Sequence, residues 1–377
     1  MKKISLILIL PLLILSCNNS KKEVKRNDIQ LRIDQLVVEN EVPGINFSII
    51  YKDGIQENYS SGYSNKSTKE ELTSEHVMFS GSIGKTYAVA ILMQLVDEGK
   101  IDLTKKLIDY FPEIAWLNKL PNIQDITIEM LLGHTSGLPR YVLQDGVWDI
   151  VINYPDKVWS YEDRLKFIFD IEPIHEAGKG WGYSDTNYLL LGMLIEKITD
   201  SYYYDEVKER ILIPYNLSTT YPATERRINN LSNGYSKPHE LFTMPEEIIV
   251  NGECIFNPQF EWTGGGIAST TSDLAKWAKL YYESELFSEE LLKKMVTPNA
   301  NGKLTENISC GMGSFMFNTK LGYLYGHTGT FPGYVAIFAY HPQLEIAIAL
   351  QINCDYGKEK MSLTEYLERI LIGQINI

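Results

Sequence analysis

The sequence of 377 residues predicts an α+β fold in which one sheet is built from both ends of the chain around a helical insertion. Strand-like patterns follow an N-terminal helix and return beyond residue 309, whereas the patterns of the middle, about 125–215, are mainly helical. No linker rich in Pro, Ser or Gly, no low-complexity tract and no repeat interrupts this part of the sequence. We therefore expect one interwoven unit instead of separate domains.

Residues 1–16 have the features of a secretory signal. Two lysines precede an apolar run from 4 to 15, which is too short to span a bilayer comfortably. The stretch ILSC (14–17) resembles a bacterial lipobox, in which Cys17 becomes the acylated first residue, although Leu15 is not the small residue of the strictest pattern. The expected location is therefore the cell envelope, as a periplasm-facing or outer-membrane lipoprotein. The alternative is an ordinary signal with an incidental cysteine.

Composition and charge exclude several classes of partner. Residues 17–27 are polar and mixed in charge, as expected of a tether between a membrane lipid and the folded part, 28–377. The formal charge of −13 becomes −15 without the two lysines of the leader, which argues against nucleic acid or an anionic membrane surface as the partner. We expect membrane contact through the N-terminal lipid alone, and the sequence predicts no oligomeric state.

Residue types that hold metals and cofactors are sparse. Cys254, Cys310 and Cys354 form neither a disulfide framework nor a Cys-x-x-Cys motif, so we expect buried free thiols. The six histidines show no His-Glu-x-x-His spacing, and GGGIAS (264–269) lacks the strand–loop–helix context of a dinucleotide site. The sequence therefore predicts no metal and no cofactor, and GGGIAS is expected to let backbone approach a cleft.

Periodicity and turn signals predict the elements of the N-terminal part. An amphipathic helix is predicted over 28–40, and residues 44–54 are predicted to pair with 55–65 across an Asp-Gly turn. Segment 83–98 is apolar nearly all round and stops at Gly99, which predicts a buried central helix.

The later elements are a long helix, 183–200, and a series near the C-terminus. That series consists of four strands and a final helix, at about 309–317, 321–327, 332–340, 344–353 and 361–372. The predicted sheet part is thus about 28–115 and 255–377, and the predicted helical part is about 116–254.

The stretch FSGSIGKTY (79–87) has two chemical interpretations. Its Gly-Lys-Thr is the end of a phosphate-binding loop, but that loop requires glycine where Phe79 stands. The stretch also contains Ser82 and Lys85 as Ser-x-x-Lys. If the buried helix begins just after Ser82, its unpaired N–H groups can hold an oxyanion. Lys85 then lies on the same face, and apolar surroundings lower the pKa of such a lysine so that it can take a proton.

Two later motifs favour the nucleophile. WGYSDTNYLLLG places Tyr183 and Asp185 just before a helix, and YGHTGTFPGY places His327, Thr328 and Gly329 on a predicted strand. In this order with Ser-x-x-Lys, they resemble the serine penicillin-recognising hydrolases, and most closely the class C β-lactamase-like family. LLGHTSGLPRY (131–141) and GGGIASTTSDLAKWA (264–278) also resemble recurring stretches of that family.

The resemblance covers about residues 30–370. It implies a β-lactamase/transpeptidase-like fold, with an antiparallel sheet flanked by helices, a mostly helical subdomain and the site between them. It also implies a serine hydrolase acting through a Ser-bound acyl-enzyme on amide, ester or D-amino-acid peptide bonds, like the family's D-alanyl-D-alanine carboxypeptidases, D-aminopeptidases and esterases. Cell-wall peptide and β-lactam are then possible substrates. The alternative is a surface-tethered penicillin- or peptide-binding lipoprotein with little or no turnover.

The resemblance to the family implies catalytic roles for residues of these motifs. Ser82 is expected to be the acylated nucleophile and Lys85 its proton partner. Tyr183 takes the place of the tyrosine that relays a proton to the leaving group, with a phenolate form considered. His327 is expected to supply positive potential or a hydrogen bond. His134, in a second His-Thr motif, is expected to serve packing or loop hydrogen bonding.

Four further positions are expected to contact substrate. Gly329 is expected to let substrate lie close to the strand, and Thr328 is the residue before it on that strand. The N–H groups of Thr330 and the nucleophile are expected to form the oxyanion hole. Many relatives have Asn where this chain has Asp185, and an ionised Asp only accepts hydrogen bonds. Asp185 either favours the charged form of the lysine, which places more of the proton transfer on the tyrosine, or caps the helix that it precedes.

Overall fold

A computed structural model describes residues 19–237, 244–300, 302–357 and 361–375. The predicted signal, 1–16, and the predicted lipidation site, Cys17, lie outside the described residues. None of the helices that the structure describes is long and apolar enough to cross a membrane.

The described residues form thirteen strands and ten α-helices. The strands are β1 (Gly44–Ile50), β2 (Gln56–Asn65), β3 (Glu70–Glu71), β4 (Met78–Phe79), β5 (Thr220–Pro222), β6 (Ile249–Val250), β7 (Glu253–Cys254), β8 (Ile267–Ser269), β9 (Ile308–Cys310), β10 (Phe315–Thr319), β11 (Gly322–Phe331), β12 (Tyr334–His341) and β13 (Ile346–Ile352). The helices are α1 (Asn19–Asn40), α2 (Lys85–Asp97), α3 (Ile128–Leu132), α4 (Val147–Asn153), α5 (Tyr161–Leu165), α6 (Asp185–Thr199), α7 (Tyr203–Val207), α8 (Thr271–Tyr282), α9 (Glu289–Met295) and α10 (Leu363–Leu371).

Eight strands form the main sheet, in the order β3-β2-β1-β13-β12-β11-β10-β9. Neighbouring strands are antiparallel, and β1 and β2 form the predicted hairpin. Strand β1 also lies beside β13, with Phe47 opposite Leu350. The sheet therefore combines both ends of the chain, and the predicted α+β architecture is confirmed.

Two elements differ from the sequence prediction. Helix α1 begins at Asn19 and not near residue 28, so it takes in most of the segment predicted as a tether. The single strand predicted over 309–317 is two strands, β9 and β10, because a turn at 311–314 separates them. Gly313 in this turn has a left-handed φ of 62°, which glycine adopts without strain.

Both faces of the main sheet are buried by alternating side chains. On β12, Ile337 belongs to one hydrophobic cluster and the adjacent Phe338 belongs to the other. Ile33 of α1 and Ile370 of α10 pack in the first cluster, whereas Trp277 of α8 packs in the second. The second cluster continues into α2 and α6, so one continuous core joins the sheet to the helical part.

A small sheet in the order β4-β8-β5 places the nucleophile. Strand β4 leads into a 3₁₀ turn, Gly81–Gly84, from which α2 continues. This turn contacts the end of β11, and α2 packs on α6. The edge of the main sheet, the start of α2 and the start of α6 therefore meet at one place.

Cys254, Cys310 and Cys354 are buried and free. Burial raises the pKa of each thiol to about 12. The three thiols are therefore protonated and unreactive at neutral pH, and the predicted buried free thiols are confirmed.

Candidate active site

Ser82 lies in the 3₁₀ turn that begins the buried helix α2. Because the first N–H groups of a helix have no partner within it, the N–H of Ser82 is available to an external acceptor. Gly81 has a left-handed φ of 51°, and a Cβ on Gly84 would lie 2.9 Å from the carbonyl carbon of Gly265. The helix start is thus tightly packed at Gly84.

Lys85 is fully buried and makes three hydrogen bonds from its ammonium group. Nζ lies 3.0 Å from Ser82 Oγ and 2.7 Å from Asp185 Oδ1, and it also donates to the carbonyl of Gly264. The GGG stretch therefore reaches the site with a backbone oxygen, in agreement with its expected approach to the cleft.

Asp185 is held between two cations. Its other oxygen, Oδ2, lies 2.9 Å from Arg140 Nε and 2.7 Å from Arg140 Nη2. Asp185 is the first residue of α6, Ser184 is the cap residue, and no capping hydrogen bond is made there. The helix-cap interpretation of Asp185 is therefore wrong, since its carboxylate binds Lys85 and Arg140 instead.

The ion pair fixes the charges of both partners. Burial alone would raise the pKa of Asp185, but Lys85 and Arg140 outweigh it and hold that pKa well below its usual value. Burial alone would lower the pKa of Lys85, but Asp185 outweighs it and the pKa is raised. The expectation of a lysine with a lowered pKa is therefore wrong, and the alternative in which Asp185 favours the charged lysine describes this site.

Tyr183 lies over the buried charges with a protonated hydroxyl. Its ring centroid is 5.2 Å from Lys85 Nζ and 4.3 Å from the ring of His134. Burial raises the pKa of Tyr183, although Lys85 opposes the shift, so the unliganded site does not hold a phenolate. The side chains of Ser82 and Lys85 interact with the Tyr183 hydroxyl and oppose the rise of its pKa, so the hydroxyl adjoins the nucleophile.

His134 positions the segment that carries the tyrosine. Its Nδ1 accepts a hydrogen bond from the Ser184 N–H at 3.2 Å and lies 3.0 Å from Asn187 Nδ2. Burial lowers the pKa of His134 well below its ordinary value, so the ring is neutral and can accept both bonds. The expected role in packing and loop hydrogen bonding is confirmed.

His327 is a neutral ring at the wall of the site. It stacks on Phe315 at 4.4 Å between centroids, and Nδ1 lies 2.6 Å from the Thr328 carbonyl oxygen. Nδ1 therefore donates, which leaves Nε2 as an acceptor. Burial lowers the pKa of His327 to about 3. The expectation that His327 supplies positive potential is therefore wrong, because a buried imidazole beside Lys85 stays uncharged. The other expected role, a hydrogen bond, agrees with the neutral ring.

Strand register directs the Thr330 N–H to the open edge of β11. Two-residue turns join β10 to β11 and β11 to β12. Each turn fixes which residues of β11 direct their N–H groups toward β10 and which toward β12, and the two turns agree. The Thr330 N–H therefore points away from β12, toward the side of β10. Strand β10 does not extend beyond Phe315, which lies opposite Gly326, so it does not reach Thr330. The turn at Ser82 fills this open edge. The N–H groups of Thr330 and Ser82 therefore flank one position, as the predicted oxyanion hole requires.

Gly329 allows the strand to pack closely on the nucleophile turn. A side chain there would collide with the Ser80 carbonyl oxygen and would lie 3.1 Å from the Ser82 nitrogen. This close approach between the two backbone segments requires glycine, and the approach of substrate to the strand stays a prediction.

The predicted residues meet at a cleft of about 680 Å³. Its lining includes Ser82, Tyr183, Asp185, His327, Thr328 and Thr330, whereas Lys85 and Gly329 lie behind the wall. Four charged residues of the cleft were not predicted: Arg140, Lys237, Glu261 and Asp355. Arg140 lies within the quoted stretch LLGHTSGLPRY (131–141), whose match to the family assigned it no role, and Glu261 has no local sequence signal.

A sequence model of the family described as Beta-lactamase matches residues 29–371. The chain belongs to the beta-lactamase family. It is a serine hydrolase. Penicillin-binding protein 4* of Bacillus subtilis (strain 168) is 24% identical over 367 residues, which are 94% of this chain and 77% of that protein. The resemblance seen in the motifs is therefore confirmed.

Solved structures confirm the β-lactamase/transpeptidase-like fold. A D-stereospecific amidohydrolase from Streptomyces sp. has a TM-score of 0.77 at 23% identity, covering 92% of this chain and 98% of its own. The D-amino acid amidase from Ochrobactrum anthropi SV3, complexed with L-phenylalanine amide, has a TM-score of 0.77 at 23% identity, covering 93% and 98%. At these identities the likeness shows the fold alone.

Replacing Asp185 by Asn tests the electrostatic arrangement. Lys85 then keeps its burial and the repulsion of Arg140 but loses its anion, so we expect its pKa to fall from the raised value. Asp185 also raises the pKa of Tyr183, so either proton acceptor would lose its proton at lower pH. We expect the alkaline rise in the rate of Ser82 labelling by a fluorophosphonate to move to lower pH.

The rate is measured by intact mass as a function of pH. Asp149→Asn is the matched control, because it removes one negative charge from an exposed position of α4. An unchanged pH profile in folded Asp185→Asn protein would show that the carboxylate does not set the charge of the site.

Proposed function

We propose that the chain hydrolyses amide or ester bonds of amino-acid or peptide derivatives through an acyl-enzyme on Ser82. The observation that carries this proposal is the contact of 3.0 Å between Ser82 Oγ and Lys85 Nζ at the cleft. The N–H groups of Ser82 and Thr330 support it, because preorganised donors stabilise the oxyanion of acyl transfer.

The charges of the unliganded site favour a relay through neutral Tyr183. Ser82 Oγ attacks the carbonyl carbon and gives its proton to the Tyr183 hydroxyl, which passes its own proton to the leaving nitrogen or oxygen. Lys85 remains an ammonium ion and stabilises negative charge as it develops on Ser82 Oγ. Water then attacks the ester carbonyl, Tyr183 accepts one of its protons and returns another to Ser82, and the acid is released.

The proposed substrates are amides and peptides of D-amino acids. Support comes from the activities named for two structural neighbours, a D-stereospecific amidohydrolase and a D-amino acid amidase. A relative named penicillin-binding protein 4* adds cell-wall-like peptides and β-lactams as acylating compounds. Fold-level likeness is a weak guide to substrate, so the experiments below compare these classes directly.

A second candidate function is penicillin or peptide binding with little or no turnover. A charged Lys85 and a protonated Tyr183 favour it, because neither group is a ready base for the water of deacylation. Acylation would then proceed, and the acyl group would stay on Ser82.

Ser82→Ala should abolish reaction with a fluorophosphonate, because the attacking oxygen is removed. Thermal stability should change little, since one partly exposed hydrogen bond contributes about 1 kcal/mol. Intact mass shows the adduct and a thermal melt shows the fold. Ser80→Ala is the matched control, because the buried Ser80 hydroxyl has no hydrogen bond to the described residues.

Labelling of the Ser82→Ala protein would place the nucleophile elsewhere. Wild-type protein that is folded and unlabelled would refute the hydrolase mechanism. Incubation with a penicillin separates the two candidate functions: a persistent adduct on Ser82 indicates binding with slow turnover, whereas a transient adduct with released penicilloic acid indicates hydrolysis.

Tyr183→Phe should change stability little and lower the hydrolytic rate. The variant loses only the interactions of the hydroxyl with Ser82 and Lys85, whereas loss of a proton relay typically costs about 10²- to 10⁴-fold in rate. Tyr203→Phe is the matched control, because Tyr203 also has a buried hydroxyl but does not line the cleft. The measurement is kcat on an amide substrate, and equal activity in wild-type and Tyr183→Phe protein would contradict the relay.

We further propose that the chain is exported and lipid-anchored to the cell envelope. The sequence before residue 18 supports this proposal through its charged start, its short apolar run and the ILSC stretch. In a bacterial host expressing residues 1–377, wild-type protein should fractionate with membranes. Cys17→Ala protein should not, and its mass should lack the lipid. Equal membrane content of the two proteins would contradict the anchor.

A further inference from the structure

Glu261 is one of three carboxylates that line the cleft. Oε2 lies beside the GGG stretch, because a Cβ on Gly265 would be 3.0 Å from this oxygen and 2.9 Å from the carbonyl carbon of Gly81. Gly81 directly precedes Ser82. The side chain is partly exposed at the cleft, so the carboxylate faces the space next to the nucleophile.

The Glu261 carboxylate has no hydrogen-bond donor among the described residues. The other carboxylates of the cleft are paired. Asp185 binds Lys85 and Arg140, and Asp355 Oδ2 accepts from Ser236 Oγ at 2.6 Å and from the Gly333 N–H at 2.9 Å. Glu261 is therefore the one carboxylate of the described cleft lining that is left to a ligand.

The cations of the cleft have other contacts. Lys85 and Arg140 both hold Asp185, and Lys237 Nζ lies over the ring of Tyr356 at 4.4 Å. A positive group that enters beside the nucleophile thus meets an unpaired anion. Desolvating an unpaired carboxylate is costly, so a ligand cation that pairs with it gains binding energy.

We propose that Glu261 binds the free α-ammonium group of the substrate and so selects amino-acid derivatives whose amine is unblocked. This inference rests on the proposed acyl transfer at Ser82. In an amino-acid derivative the α-nitrogen is two bonds, or about 2.5 Å, from the carbonyl carbon that Ser82 attacks. An ammonium group at that distance reaches the space that Glu261 faces.

The environment of Glu261 matches this role. Burial and then Asp185 raise its pKa to about 7, against the opposing effects of Lys85 and Arg140. Near neutral pH the Glu261 carboxylate is therefore in equilibrium with its protonated form. A substrate ammonium supplies the positive charge in place of that proton.

The test compares alanine p-nitroanilide with N-acetylalanine p-nitroanilide, each as D- and L-enantiomer. Glu261→Gln keeps the shape of the side chain and removes its charge. We expect kcat/KM for the free amine to fall about 10- to 100-fold, the range of a charge-assisted hydrogen bond, while kcat/KM for the acetylated compound is unchanged. Asp149→Asn is the control for loss of one negative charge near the cleft and should alter neither value.

A second readout needs no turnover of these compounds. Alaninol should protect wild-type Ser82 from a fluorophosphonate and should not protect the Glu261→Gln protein, whereas N-acetylalaninol should protect neither. Glu261→Asp, which shortens the reach, should give partial protection and serves if the Gln variant does not fold.

Equal losses on free and acetylated substrates, or equal protection of wild type and variant by alaninol, would overturn ammonium binding at Glu261. Absence of fluorophosphonate labelling in folded wild-type protein would instead refute the serine mechanism itself. The two failures are therefore distinguishable.

Discussion

The buried ion pair between Lys85 and Asp185 is the interaction on which the site depends. The Lys85 side chain is fully buried and that of Asp185 is 4% exposed, so either charge alone would cost several kcal/mol of desolvation. Arg140 completes the arrangement from a third segment, with a side chain that is 37% exposed. The start of α2, the start of α6 and the loop before α4 are thus held together by charge, and the same charges fix which groups can exchange protons.

The main sheet contributes its edge to this arrangement. Strand β10 begins at Phe315, opposite Gly326, so it does not lie beside the last residues of β11. The nucleophile turn occupies the vacated edge, and register decides that the N–H of Thr330 points toward it. The pair of proposed oxyanion donors is therefore a consequence of strand lengths and turn types far from the Ser-x-x-Lys motif.

Sequence reasoning predicted the parts of the site whose signals are local. Ser82, Tyr183 and His327 stand in short motifs, and the structure brings all three to one cleft. The charge of Lys85 and the role of Arg140 depend on contacts with Asp185, which lies 100 positions from the lysine and 45 from the arginine. No local pattern encodes such contacts. Glu261 was missed because its proposed role depends on the absence of a hydrogen-bond donor to its carboxylate among the described residues. Only the folded structure shows this. In the fold, the split of 309–317 escaped prediction because both halves have the same strand-like period.

The nucleophile turn is surrounded by backbone more than by side chains. Gly81, Gly84, Gly265 and Gly329 bring main chain against main chain on several sides of Ser82. Because no side chain separates these backbone segments, the turn has little room to move, and we expect little reorganisation to accompany acylation. Adaptation to new acyl groups is therefore expected in the side chains that line the cleft, such as Trp148, which can change rotamer without moving the reacting oxygen.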